Sequence, residues 1–255
     1  MVSIEKILED KKSEIEDLKS HPPDPGKRTR PRFSFLDALS KPGISVISEI
    51  KRSSPSTSPF GVDIHDLKQA YVVANVDAFS ILTDRHFEMN AADLKELAAD
   101  IKAPVLRKDF IMDEVQIDEA VEMGADAILL IATFLETDEL DRLGAYAEKY
   151  GLDVLYEAHH EDDVQKIPTR AKIIGINNRN LSGGDYKTSL DFSMKLLNTL
   201  PENMIKVAES GYELPGSVPE GYDAVLVGTG LIRTFMARGS LPVLVDGLRI
   251  PKREI

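Results

Sequence analysis

Cysteine is absent from the 255-residue chain, which excludes disulfides, thiolate metal sites and a cysteine nucleophile together. Whatever chemistry occurs must use carboxylates, amines, hydroxyls or imidazoles. Long apolar runs are missing too, and nothing approaches the ~20 consecutive apolar residues that a membrane helix needs. The N-terminal stretch MVSIEKILEDKKSEIEDLK is amphipathic and heavily charged, unlike a secretory leader. We therefore expect a cytoplasmic protein with no membrane partner. Positive charge is scarce: 31 Lys and Arg stand against 43 Asp and Glu, a net charge of -12. Nucleic acid as a partner is not expected, because backbone-phosphate binding needs a continuous basic face. A small anion remains possible, since converging basic side chains and backbone N–H groups outweigh distant, screened surface charge.

What is present is an ordinary globular composition, 42% hydrophobic and 29% charged, long enough for one α/β barrel or two small domains. Short β-branched apolar runs recur at 45–50, 78–82, 105–107, 127–131, 153–156, 172–176, 205–208 and 224–227. They read as parallel strands buried on both faces. Between them lie amphipathic stretches such as 63–75, 91–101, 113–123, 137–150 and 189–200. Asp113 with Gln116 resembles a capping box, and Gly124 and Gly151 stand where helices should end. The segment 212–221, with Pro215 and Pro219, suits a turn or a degenerate helix. Strict alternation without a long linker points to a closed barrel or a doubly wound sheet, and eight units favour the barrel.

The expectation is thus an α/β fold, a single (β/α)₈ TIM barrel spanning 1–255, with 1–43 as an N-terminal helical extension. In that extension Ile4, Ile7, Leu8, Ile15 and Leu18 form a helical stripe. HPPDPGKRTRPR and a second short helix near 33–39 follow. The extension either plugs the barrel bottom or folds over the active face as a lid.

In such a barrel the strand C-termini and the loops after them build the active site. Those positions are crowded with polar groups: Glu49 and Lys51 after strand one, Lys108 and Asp109 after strand three, and Glu157 after strand five. Asn177, Asn178 and Arg179 follow strand six, Glu209 and Ser210 strand seven. Glu49 and Lys51, two apart, face the same side of a strand. Ammonium and carboxylate groups in a partly dry pocket suit proton transfer, because proximity and burial can bring a lysine or glutamate pKa toward neutrality. ESG at 209–211 and VGTG at 227–230, the second opening a helix over 231–237, offer backbone N–H groups and a helix dipole to a phosphate.

These residues fall in longer stretches: SEIKRSSPS at 48–56, SILTD at 80–84, PVLRKDFI at 104–111, QIDEAVEMGADAILLI at 116–131, IGINNRNL at 174–181 and VAESG at 207–211. With them, nearly the whole chain resembles the indole-3-glycerol phosphate synthases. Two departures stand out. The loop at 56–61 runs STSPFG, longer and richer in Ser and Pro than usual, and after SILTD and Arg85 the chain has HFEMNAADL where the family has a phenylalanine, GS and an acidic residue.

The resemblance implies a carboxy-lyase of tryptophan biosynthesis acting on 1-(o-carboxyphenylamino)-1-deoxyribulose 5-phosphate. Ring closure, loss of carbon dioxide and loss of water give indole-3-glycerol phosphate. It further implies Lys108 as general acid at the sugar carbonyl and Glu157 as general acid/base opposite. Lys51 would sit against the substrate carboxylate and serve in dehydration, positioned with Glu49 and Asn177, while Ser210 contacts the reacting region. Arg179 and Glu209 would hold the network and the sugar hydroxyls. Phe110, Leu129, Leu181 and Phe87 would form an apolar slot for the anthranilate ring, and Ser54, Gly211, Gly228, Thr229 and Gly230 a phosphate cradle. No metal or organic cofactor is required, and we expect a monomer. His159 and His160 do not read as a metal pair, because adjacent residues point apart and no third ligand lies nearby.

Two enzymes of the same pathway are less compatible. Phosphoribosylanthranilate isomerases rely on a cysteine, and tryptophan synthase α subunits lack two strand-end lysines. A catalytically silent barrel acting as a scaffold would not need an intact acid/base set.

Overall fold

Side chains alternate across a strand, so one set of positions in each strand faces the barrel axis and the other faces the helices. In the computed structural model, which describes residues 3–54, 59–179, 190–197 and 199–251, that alternation sorts the core into two layers. The strands are β1 (Ser45–Ile50), β2 (Ala78–Leu82), β3 (Val105–Lys108), β4 (Ala127–Ile131), β5 (Asp153–Ala158), β6 (Ile173–Asn177), β7 (Ile205–Glu209) and β8 (Ala224–Val227). All pair in parallel in chain order, and β8 returns to β1 through Ser45 opposite Ala224. The helices are α1 (Ile4–Ser20), α2 (Phe35–Leu39), α3 (Ile64–Val73), α4 (Ala91–Ala98), α5 (Glu114–Met123), α6 (Thr137–Lys149), α7 (Glu161–Lys166), α8 (Leu190–Leu197), α9 (Thr229–Arg238) and α10 (Pro242–Leu248).

Ile47, Leu106, Ala127, Leu129, Leu155, Ile173, Val207, Ala224 and Leu226 form the inner core. Val46, Phe79, Ile81, Val105, Ile128, Leu130, Tyr156, Ile174 and Val225 belong to the outer layer beneath the helices. Continuing the inner positions upward, two residues at a time, reaches Glu49, Lys51, Lys108, Glu157, Asn177 and Glu209. The same phase that fills the barrel floor with aliphatic groups therefore crowns it with charge.

Local sequence fixes the element ends. Asp113 caps α5, with its side chain accepting from Val115 N–H at 3.1 Å while Gln116 Oε1 accepts from Asp113 N–H at 3.1 Å. Gly124 ends α5 at φ 92°. A Cβ there would stand 2.9 Å from Arg30 Cδ, so a side chain at this position would be both strained and crowded. Between β7 and β8 the described chain forms turns and no helix, as the prolines of 212–221 require.

The later half of the N-terminal extension takes the first of the two expected roles, while α1 packs beside α5. Phe35 and Leu39 of α2 are fully buried in the inner core. Phe35 and Leu36 N–H donate to Asp153 Oδ2 at 2.8 and 3.0 Å, at the start of β5. Arg28 and Arg30 clasp Asp126 just before β4, at 2.6 and 2.8 Å. This part plugs the bottom. Helix α1 instead reaches the rim, where Lys11 Nζ lies 2.8 Å from both Asp84 and Asp109, beyond the C-terminal ends of β2 and β3.

Candidate active site

Strand ends β1, β3, β5, β6, β7 and β8 converge on one pocket of about 180 Å³, room for a small organic group rather than a lone water. Lys108 Nζ stands 2.7 Å from Glu157 Oε2 and 3.1 Å from Glu209 Oε2. Across the mouth Lys51 Nζ donates to Glu49 Oε1, two residues away on the same face of β1. Asn177 Oδ1 accepts from Arg179 N–H at 3.0 Å, which shapes the turn leaving β6. Asn178 Nδ2 donates to the Glu209 and Ser210 carbonyls at 3.1 and 3.0 Å, lashing the end of β6 to the end of β7.

Two glycines make room for carboxylates. A Cβ on Gly175 would stand 2.1 Å from Glu209 Oε1, and one on Gly228 2.3 Å from Glu49 Oε1. Next to them Ser210 is left-handed at φ 62°, followed by Gly211 at 92°. For serine this backbone costs about 1 kcal/mol or more, and such strain collects where a loop is shaped for a ligand. Gly228 also precedes the first turn of α9, whose backbone N–H groups lack partners within the helix and favour an anion.

The charges are strongly interdependent. Burial opposes the charge on Lys108, but Glu157, Glu209 and Glu49 outweigh it and hold the ammonium pKa well above its ordinary value. Burial would likewise raise the Glu157 carboxyl, yet Lys108 and His159 hold it well below the usual carboxylate range. Glu209 goes the other way, pushed well above that range by burial and by the neighbouring Glu157 charge, against the pull of Lys108. For Glu49, burial is outweighed by Lys51 and Lys108, and its carboxyl is lowered. The sequence leads to the expectation of a lysine or a glutamate drawn toward neutrality, and it is the glutamate half that the site meets. Lys108 is corrected to a firmly charged ammonium, because two carboxylates touch it, and Glu209 is the group displaced toward the neutral form.

The pocket wall includes Glu49, Lys51, Lys108, Glu157, Asn177, Arg179, Glu209 and Ser210 from the acid/base and network set. Phe87, Phe110 and Leu129 from the apolar set also line it, as do Gly211, Gly228 and Thr229 from the phosphate set. Ser54 and Gly230 are buried and do not stand on that wall; Gly230 lies under Glu213, whose Cβ would be 2.7 Å from an added Cβ. Leu181, and the 55–58 part of the loop after β1, lie outside the described residues. Phe110 packs its ring 6.1 Å from that of Phe134, and Leu82, Ile131 and Leu226 complete the apolar floor.

The sequence reading weighs His159 only as a metal ligand and gives it no role beside Glu157. It is buried, with Nε2 2.7 Å from Glu157 Oε1 and Nδ1 2.8 Å from the Arg179 carbonyl oxygen. The signal was available: His159 is two residues beyond Glu157 and so shares its side of the chain, whereas His160 is the N-cap of α7. Lys11 was missed as well, although it occupies the buried stripe of α1 between Ile7 and Ile15.

The profile of the indole-3-glycerol phosphate synthase family matches residues 4–240. The indole-3-glycerol phosphate synthase of Priestia megaterium is 38% identical over 241 residues, covering 90% of this chain and 92% of the relative. That of Oceanobacillus iheyensis is 37% identical, covering 100% and 99%. That of Nautilia profundicola is 44% identical over 74% of this chain and 75% of its own. Among solved structures, tryptophan synthase subunit alpha from Legionella pneumophila superposes with a TM-score of 0.61 at 18% identity, over 85% of this chain and 97% of that one. At that identity the likeness is one of fold alone.

Proposed function

Since the chain belongs to the indole-3-glycerol phosphate synthase family, we propose that its pocket performs ring closure, decarboxylation and dehydration with Lys108 and Glu157 as the central acid and base. The observation that carries this reading is the Lys108 ammonium held between Glu157 and Glu209 at the pocket floor, 2.7 and 3.1 Å away.

The chemistry fits those positions. The anthranilate carbon bearing the carboxylate attacks the sugar carbonyl carbon, and the carbonyl oxygen takes a proton to become a hydroxyl. An ammonium on a rigid strand end supplies that proton without reorganisation. The bond to the carboxylate then breaks, its electrons restore the aromatic ring, and carbon dioxide leaves. In dehydration the hydroxyl departs with a proton, and a second proton is lost from the neighbouring ring carbon. Lys51, paired with Glu49 across the mouth, is placed to hold the carboxylate and then to protonate the leaving hydroxyl. Glu157 takes the carbon-bound proton.

Arg179, Glu209, Asn177 and Ser210 orient the sugar and the reacting atoms. Phe110, Leu129, Leu181 and Phe87 flank the aromatic ring. Gly211, Gly228 and Thr229, with Ser54 and Gly230 behind them, hold the phosphate at the mouth of α9. We read the whole chain, 1–255, as one barrel domain with 1–43 as its extension. It works as a cytoplasmic monomer on a small phosphorylated substrate, without nucleic acid. No helix among the described residues is long and apolar enough to cross a membrane.

The test is direct. Purified protein mixed with the anthranilate-linked ribulose phosphate should develop indole fluorescence, and Lys108→Ala should lower kcat by about 10²-fold or more. A parent protein that forms no product, or a Lys108→Ala variant as fast as the parent, would sink this reading.

A further inference from the structure

The imidazole of His159 is enclosed, its side chain fully buried, and each ring nitrogen faces one oxygen. Nδ1 lies 2.8 Å from the Arg179 carbonyl. A carbonyl oxygen only accepts, so Nδ1 must carry a hydrogen and donate it. Nε2 lies 2.7 Å from Glu157 Oε1, a hydrogen-bond distance that requires a proton between the two atoms. Turning the ring over would replace both contacts by C–H, so the orientation is fixed by its partners. The other oxygen of the same carboxylate, Oε2, receives Lys108. Glu157 is therefore gripped at both ends, with Oε1 turned into the protein and Oε2 toward the pocket.

We propose that His159 is a positioning residue for Glu157: Nδ1–H is anchored on the Arg179 carbonyl, and a single proton is held between Nε2 and Glu157 Oε1. The histidine and the glutamate then form one neutral unit carrying one exchangeable proton. The anchor also couples the acid/base carboxylate to the turn bearing Arg179, whose side chain lines the same pocket.

The backbone around the ring is built to hold it. His159 and His160 N–H both donate to Asp163 Oδ2, at 2.9 and 3.0 Å, and Thr133 Oγ1 donates to the same oxygen at 2.7 Å. Asp163, at the start of α7, thus fixes the turn after β5 without touching the imidazole. The charged groups facing the unit are Lys108 from β3, Glu209 from β7, Arg179 from the end of β6 and Asp163 from α7, with Glu49 acting on Lys108 from β1.

The role in turnover rests on the function proposed above; the placement of the protons does not, and each is tested separately. His159→Ala should lower kcat by about 10- to 100-fold, the usual effect of misplacing a reacting group, with KM within about threefold. It should also move the acidic limb of the kcat/KM pH profile upward by about one unit, because a carboxylate that loses a positively polarised partner binds protons more readily. His159→Gln, whose amide still donates to Glu157 but cannot share a proton, should recover much of kcat while keeping the displaced limb. A merely structural residue would not separate the two effects. Profiles that overlay the parent in both variants would overturn the proposal, and should His159→Ala fail to fold, His159→Gln decides alone. In the parent protein, ¹⁵N spectra of the imidazoles should show His159 protonated at Nδ1 at neutral pH. A ring with bare Nδ1 would overturn the proposal even if the parent proved inactive on the substrate, the result that would sink the functional reading instead.

Discussion

Gly175 lies inside β6, fully lined by its neighbours, and its missing side chain is what lets Glu209 lean inward to Lys108. The atom an added Cβ would meet, at 2.1 Å, is Glu209 Oε1, the far end of a flexible side chain rather than backbone. Gly175→Ala should therefore be accommodated by swinging Glu209 aside, at a stability cost of about 1 kcal/mol, the low end for overpacking. The activity should suffer far more. With Glu209 displaced, Lys108 loses one of two contacts and its orientation, and we expect kcat to fall by about 10²-fold while the urea midpoint barely moves. Steady-state kinetics beside a urea titration would check this split; equal losses in both, or kcat within twofold of the parent, would contradict it. This prediction could not be reached from the sequence, where Gly175 sits in the IGINNRNL motif as one more small residue. The strand-end lysines and glutamates were legible because a parallel strand presents its last inward residues at one rim whatever the tertiary detail. Which neighbour each group touches is set by register between strands, and the chain does not display that.

Helix α1 carries a device of its own scale. Its buried stripe of Ile4, Ile7 and Ile15 is interrupted by Lys11, 2% exposed, whose ammonium meets Glu14 at 2.6 Å and Asp84 and Asp109 at 2.8 Å each. Asp109 lies next to Lys108 in the chain and also takes Arg107 at 3.0 Å and Thr83 at 2.6 Å. The helix is thereby bound to the residue beside the central acid. Removing one partner of a buried ion pair leaves the others uncompensated, so Lys11→Met should cost about 3 to 5 kcal/mol. The pH dependence gives a sharper check. Burial would raise the Asp109 carboxyl, but Lys11 and Arg107 hold it well below the usual range. A depressed carboxyl contributes stability that is fully present above the unfolded value of about 4 and is lost as pH falls toward the folded one. The parent should lose stability steadily below about pH 5, and Lys11→Met, with a less depressed Asp109, should show a shallower slope there. Urea titrations from pH 7 to 3 would decide; parallel slopes would refute it. An amphipathic N-terminal helix was evident from its stripe. Its destination was not, since a lysine within an apolar stripe announces a buried anion without saying which.

Across the whole molecule, the alternating phase of the strands separates two ends with different physics. The bottom is closed by α2, whose Phe35 and Leu39 are fully buried against Ile47, Leu106, Leu155 and Val207, and by the clasp of Arg28 and Arg30 on Asp126. The top is a ring of titratable groups held beside one another at a cost in desolvation. Conserving both on one chain is possible because the aliphatic layers between them keep the two ends apart, so changes at one end reach the other only through the rigid strands. Cutting Phe35 to alanine removes an aromatic ring from the closed end, where the surrounding strands cannot collapse to fill the space, and should cost about 3 to 5 kcal/mol. The pocket residues lie at the opposite strand ends, so kcat and KM of the folded fraction should stay within about twofold of the parent at temperatures well below the lowered melting point. Thermal unfolding followed alongside activity at low temperature would test this. If Phe35→Ala impaired turnover in the fully folded protein, the two ends would have to be coupled, and α2 would belong to the machinery of the site rather than to the floor beneath it.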